Sequence, residues 1–188
     1  MSKPMNTQEQ VLVTPVCGVL YVDEGVYAKT RGVLSDFFGP IAIESPAYPF
    51  TWSKYYDEEM GGGITRRFLA FKEAREASTL ADWKNATIML ERRFGNFDAD
   101  GKLKRAVNLD PGYIRDNSLI LASTKRNVQR VYLRDGIFAE ATLFYRDGRW
   151  NPFETTFPDF RSGTYDGFLD DARKLHMAAG SELDKAKV

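Results

Sequence analysis

The stretch QRVYLRDGIFAEATLFYRDGRW, Gln129–Trp150, decides how the chain is read. Two Asp-Gly pairs, Asp135-Gly136 and Asp147-Gly148, interrupt alternating apolar and polar residues. Asp-Gly supplies the two positive-φ positions of a tight hairpin turn whose twist matches the flanking strands. The spacing predicts a three-stranded meander over 128–134, 137–146 and 149–155, with Pro152 marking the last strand as an edge. A two-residue turn at 135–136 pairs Arg134 with Ile137, Leu133 with Phe138, Tyr132 with Ala139, Val131 with Glu140 and Arg130 with Ala141. In that register Glu140 stands on an apolar face, with Arg130 and Tyr132 on the opposite face above the small Ala139 and Ala141. A bulge in the strand would exchange those faces.

Working outward, VLVTPVCGVLY (residues 11–21) reads as a buried strand. Val26, Thr30, Val33, Leu34 and Phe37 then recur at helical spacing, and Gly39-Pro40 stops that helix. PIAIES (40–45) and ITRRFLAFK (64–72) are two more strands, joined by a long aromatic loop ending in three glycines. Thr79 and Asp82 suggest a capping box for a second helix along Leu80, Trp83, Thr87, Leu90 and Phe94. RAVNLD (105–110) is a fourth strand, ended by a Pro-Gly turn, and ILAST after it fits either a short helix or a strand. Residues 164–178 form a terminal helix, with SELDKAKV (181–188) as a frayed tail. The order βαββαβ predicts an α+β fold: a ferredoxin-like sandwich over 11–110, extended by a C-terminal antiparallel β-meander and terminal helix over 111–178. The length of 188 residues suits one domain.

Composition narrows the chemistry. Lys+Arg and Asp+Glu number 26 each, and no apolar run is long enough to cross a membrane. The polar start MSKPMNTQEQ lacks the apolar core of a signal peptide. One cysteine and one histidine exclude a zinc site of Cys and His within one chain. Cys17 reads as a core thiol, and His176 lies at the edge of a helix stripe, so Ser-His-Asp and Cys-His catalysis are poorly supported. The single cysteine fits a reducing cytoplasm. Charge is uneven: residues 102–134 hold eight Lys/Arg against two Asp, while both flanks are acidic. A basic middle suits an anion, or pairs internally with its flanks. The FLAF segment echoes an RNA-recognition strand only faintly, and a pI of about 6.6 argues against nucleic acid as a partner.

Eight polar residues sit in or beside sequence that should be buried: Asp110, Tyr113, Lys125, Arg130, Tyr132, Glu140, Asp159 and Arg161. Buried charge is costly unless it is paired or bound to something. Lys125, Arg130 and Arg161 would take an anion, and Tyr113 and Tyr132 would wall it. Asp110, Glu140 and Asp159 would orient the ligand or hold Mg²⁺. Asp110 also fits a turn former, and Glu140 a structural pair with Arg161 or Arg67. These residues point to a small anionic or nucleotide-like ligand held between sandwich and meander. Two alternatives stand beside that reading. One is a divalent-metal-dependent hydrolase or transferase using the three carboxylates; the other is a noncatalytic scaffold whose aromatic loop 48–56 docks a partner or a second copy in a homo-oligomer.

YYDEEMG (55–61), RRFLAF (66–71), VNLDPGY (107–113), LASTK (121–125), VYLRDGIFAEATL (131–143) and FPDFRS (157–162) together resemble the bacterial domain-of-unknown-function family 4416. The resemblance implies a bacterial cytoplasmic protein and brings no established activity. Two positions depart from the family's pattern. Gln129 stands where members carry His, and TTFPDF (155–160) stands where they carry WTYPDY, so a role for that histidine does not transfer.

Overall fold

The computed structural model describes residues 10–186; the polar segment 1–9 and residues 187–188 lie outside the described residues. Strand β1, Leu12–Tyr21, is the spine. Its sequence is apolar on both pleat faces, as a strand covered on both sides requires. Asp23 then caps helix α1, Glu24–Phe38, accepting the Val26 N–H at 2.7 Å. Tyr27, Thr30, Leu34 and Phe38 form its buried stripe, while Phe37, expected inward, is partly exposed.

Strands β2 (Ile41–Glu44) and β3 (Tyr48–Pro49) follow, then the one-turn helix α2 (Asp57–Met60). Next come β4 (Thr65–Phe71), β5 (Arg75–Glu76) and helix α3 (Leu80–Phe94). The expected capping box at α3 does not form. A 3-10 turn over Ala77–Thr79 leaves Thr79 at ψ 5°, not the extended backbone an N-cap needs. The Thr79 hydroxyl donates to the Glu76 carbonyl instead, and Asp82 pairs with Arg134. β6 (Asn96–Phe97) and β7 (Leu103–Lys104) make a small separate hairpin. The chain then forms β8 (Val107–Arg115), β9 (Ser118–Ser123), β10 (Arg130–Arg134), β11 (Ile137–Arg146) and β12 (Arg149–Pro152). Helices α4 (Pro158–Arg161) and α5 (Asp166–Ala186) close it, α5 running on through most of the stretch expected to fray.

One antiparallel sheet takes ten of these strands, in the order β10-β11-β9-β8-β1-β4-β2 with β12, β3 and β5 attached to its sides. The fold is thus mixed α+β. Helices α1 and α3 cover one face, packing Leu34, Phe38, Leu80 and Trp83 against Cys17, Val19 and Tyr21. Phe160 of α4 and Phe168 and Leu169 of α5 cover the other, against Val16, Phe68, Ala70 and Leu143. Among the described residues, no helix is long and apolar enough to cross a membrane.

The turn expected at LDPGY is absent: β8 runs through it, with Pro111 opposite Cys17 and Gly112 opposite Val16. Proline is tolerated because the ladder to β9 begins only at Gly112, so no partner on that side needs its missing N–H. Gly112 is there for space. A Cβ at this position would lie 2.3 Å from the Ile120 carbonyl oxygen and 2.6 Å from Leu121 Cδ2. ILAST is strand β9, joined to β8 by a tight turn at Asp116-Asn117 in which Asp116 takes φ 47°.

Both Asp-Gly hairpin turns form with positive φ at each residue, but β10 and β12, which ends at Pro152, lie along one edge of β11 with β9 on the other, so the three strands are not the successive rows of the expected meander. The predicted register holds for one pair only. Arg134 faces Ile137, but a bulge at Leu133 then sets Tyr132 against Phe138, Val131 against Ala139 and Arg130 against Glu140. The faces exchange, and Arg130 stands beside the carboxylate it was expected to oppose.

The lone histidine fastens α5 to the sheet: His176 Nδ1 lies 3.2 Å from Thr14 Oγ1, and Nε2 lies 3.8 Å from Asp116. Burial lowers its pKa, opposed by Asp116. The folded state therefore disfavours the imidazolium. Stability should be full above the ordinary value of about 6.5 and fall as pH drops through the lower folded-state value. Urea melts between pH 7.5 and 5 should show that decline, and His176→Gln should flatten it. Gly112→Ala is expected to destabilise by about 1–3 kcal/mol through the clash with Ile120 and Leu121. Gly62→Ala, which meets open space, should stay within about 0.5 kcal/mol in the same melts.

Candidate functional site

The parting of two strands creates the site. β8 and β9 pair from Gly112↔Leu121 outward; on the other side of that point β8 follows β1 to Val107 and β9 follows β11 to Ser123. The wedge between them opens into a cavity of about 410 Å³. Helix α3 walls it on one side, Phe157–Phe160 on the other, and the aromatic loop from Phe50 to Tyr56 lies across its front.

At the wedge, Leu109 faces Val19 of β1 on one side, while its N–H and C=O point to the side that β9 has left and take side chains instead. Its N–H donates to Glu91 Oε1 at 2.7 Å, and its carbonyl accepts from Lys84 Nζ at 2.6 Å. Both belong to α3, seven residues apart, on the helix's buried stripe. Around them runs a chain of ionic contacts. Lys84 Nζ lies 3.7 Å from Asp110 Oδ1. Arg105 holds Glu91 at 3.2 Å, Glu59 at 2.6 Å and the Asn108 amide oxygen at 2.8 Å. Asn108 in turn donates to Asp110 at 3.0 Å. Arg66 bridges Asp110 at 3.4 Å and Asp159 at 3.3 Å, lying across the faces of Phe50 and Phe160. Its Nε is buried without a hydrogen-bond partner among the described residues.

Burial raises the pKa of Asp159, with Arg66 opposing, and burial raises that of Glu91, with Lys84 opposing. Burial likewise raises the Tyr56 phenol. The interior thus leans toward neutral acids and leaves the cations to hold them ionised.

At the other end of the wedge Glu140 is buried, accepting from Arg130 Nε at 2.5 Å and from Gln129 Nε2 at 3.0 Å. Arg130 also donates to the Lys125 carbonyl at 2.8 Å and lies over the Phe157 ring. The Lys125 ammonium has no carboxylate partner among the described residues; it rests 3.8 Å above the Tyr55 ring, joining the two loops that flank the cavity mouth.

Of the eight residues singled out in the sequence, Asp110, Lys125, Arg130, Glu140 and Asp159 line this cavity. Tyr113, Tyr132 and Arg161 do not. Tyr113 packs toward Trp83 in the core, and Tyr132 is exposed against Phe138. Arg161 donates to the Glu154 carbonyl. Glu140 pairs with neither Arg161 nor Arg67, which instead holds Tyr21 and Glu44. The three carboxylates are each engaged by cations, and no group of three or more His, Cys, Asp or Glu among the described residues is placed to hold a metal ion. Cys17 lies in the core, where burial raises its thiol pKa.

Sequence reading missed Arg66, Lys84, Glu91, Arg105 and Asn108. A signal existed for three of them: Lys84 and Glu91 fall on the same stripe as Leu80 and Thr87. Arg66 likewise alternates with Phe68 and Ala70 along β4. A neighbouring depression of about 550 Å³ behind the aromatic loop is lined by Lys54 and Asp57 but by no buried charge.

Removing one member of a buried pair strands the other. Glu140→Leu alone should cost about 3–5 kcal/mol in denaturant melts by leaving Arg130 unpaired. Adding Arg130→Met should recover most of that loss, because the pair is then replaced by apolar contact.

The comparisons with known proteins add one match. The family model described as domain of unknown function (DUF4416) covers residues 11–176. No curated protein and no solved structure matches the chain. Each of the six segments that carry the resemblance reaches the cavity wall, through Tyr55, Arg66, Asp110, Lys125, Glu140 and Asp159 among others. With all but its two ends matched, the chain belongs to the DUF4416 family.

Proposed function

We propose that the wedge between β8 and β9 binds a small anionic ligand, nucleotide-like in size, with its acid group at Lys125 and Arg130. The carrying observation is the Lys125 ammonium, which has no carboxylate partner among the described residues and stands at the mouth of a charged cavity. Beside it one terminal nitrogen of Arg130 makes no hydrogen bond among the described residues, the Nε and the other terminal nitrogen being used by Glu140 and the Lys125 carbonyl. Charge-assisted hydrogen bonds to an incoming anion are stronger than neutral ones. The volume lies at the small end of ligand pockets, which run from roughly 300 to 1,000 Å³.

Because the carboxylates are already paired, Mg²⁺ would enter on the ligand's own oxygens with Asp110 at most completing its shell. A partner-docking role for the aromatic loop has the exposure of Trp52 and Tyr55 in its favour. Yet Tyr55 sits against Lys125 and Phe50 against Arg66, which ties the loop to the cavity. We read the β8-β1-β4-β2 half, with α1 and α3 on one face, as a ferredoxin-like unit, and the free, buried Cys17 suits a cytoplasmic setting.

A thermal-shift and calorimetric panel of phosphorylated and carboxylated metabolites tests the reading. At least one compound should raise the melting temperature. Lys125→Glu should weaken its binding by roughly tenfold to a hundredfold, as loss of a charged hydrogen bond predicts, without changing the melt of the free protein. Unaltered affinity in that variant would refute the site.

A further inference from the structure

The contact between Lys125 and Tyr55 says what kind of anion fits. An ammonium over a ring face satisfies both groups: the cation gains the ring's negative face, and the ring gains cover. An incoming acid group competes for the lysine and would strip it from the ring. A planar group competes for the ring face and would strip it from the lysine. Only a ligand carrying both replaces the two partners at once.

The rest of the lining limits how many acid groups such a ligand carries. Arg66, Lys84, Arg105 and Arg130 each hold a carboxylate, and Glu91, Asp110, Glu140 and Asp159 are those carboxylates or share them. Arg105 is matched by Glu59 as well, so among the lining cations Lys125, with the free terminal nitrogen of Arg130 beside it, is what remains for one acid group, a phosphate monoester included. A second or third acid group would therefore meet buried carboxylates in a poorly solvated site, where like charges repel strongly. The planar group has aromatic walls, since Trp52 and Tyr56 also line the cavity, Tyr56 edge-on to Tyr55.

Resting on the anion-binding reading above, we infer that the ligand joins one planar unsaturated ring to a single acid group, as a nucleoside monophosphate does, and that it enters by separating Lys125 from Tyr55.

Calorimetric titration of the full chain in metal-free buffer tests this with the four common nucleoside monophosphates, their di- and triphosphates, the free nucleosides and inorganic phosphate. A monophosphate should bind at least about tenfold more tightly than its triphosphate and than either half alone. Tyr55→Ala should bring its affinity down toward that of inorganic phosphate, and Lys125→Glu toward that of the nucleoside. A triphosphate binding as tightly as its monophosphate, or Tyr55→Ala leaving affinity unchanged, would overturn the single-acid, ring-bearing ligand while sparing the anion site. Binding by none of these compounds would overturn the inference and the anion-binding reading for this panel together.

Discussion

Where β8 leaves β9, the N–H and C=O of Leu109 lose the partners a sheet would give them, and a buried backbone group left unmatched is costly. Helix α3 answers with Glu91 and Lys84. That solution brings two ionisable groups into the interior, and each demands a counter-charge. Arg105 serves Glu91, Asp110 serves Lys84, and Asp110 in turn draws in Arg66, which reaches Asp159 on α4. One gap in a ladder thus leads stepwise to a network linking helices on opposite faces of the sheet. Gly112 lets β8 and β9 close on one side of the point where they part, and Pro111, just beyond it, has no β9 partner to ask for an N–H.

The network is worth less as a source of stability than its number of contacts implies. Desolvating charges costs several kcal/mol per ion, and attraction within pairs offsets this only where geometry is good. Arg66 shows the compromise, holding two carboxylates at more than 3 Å while its Nε goes unmatched. What the arrangement gives is a floor whose charges hold one another in place, and in the proposed binding role such a preorganised site would lose less on binding. The rim is of another kind: Lys125 is bound there by a ring and not by a carboxylate.

Much of this was legible in the chain because periodicity and turn chemistry are local. The two Asp-Gly turns formed as read, and five of the eight suspect residues met in one place. The failures share a cause in partnering. LDPGY looks like a turn until β1 lies beside it, since Pro111 is acceptable only where no neighbour asks for its N–H. Arg130 was put on the wrong face because a bulge at Leu133 has no signature in the residues themselves. Thr79 has the chemistry of a cap but not the backbone for one. Arg66 alternates with buried residues along β4, but Asp159 and Phe160, which pair with it and cover it, stand far along the chain.

The bulge at Leu133 bears on how molecules of this protein meet one another. β10 is the outermost strand, and Val131, Tyr132 and Leu133 are exposed on it. A flat apolar border of this kind is a template on which a foreign strand can zip up. One extra residue bends that border out of line and breaks the spacing of its free amide and carbonyl groups. The same irregularity that seats Arg130 beside Glu140 therefore also guards against edge-to-edge aggregation.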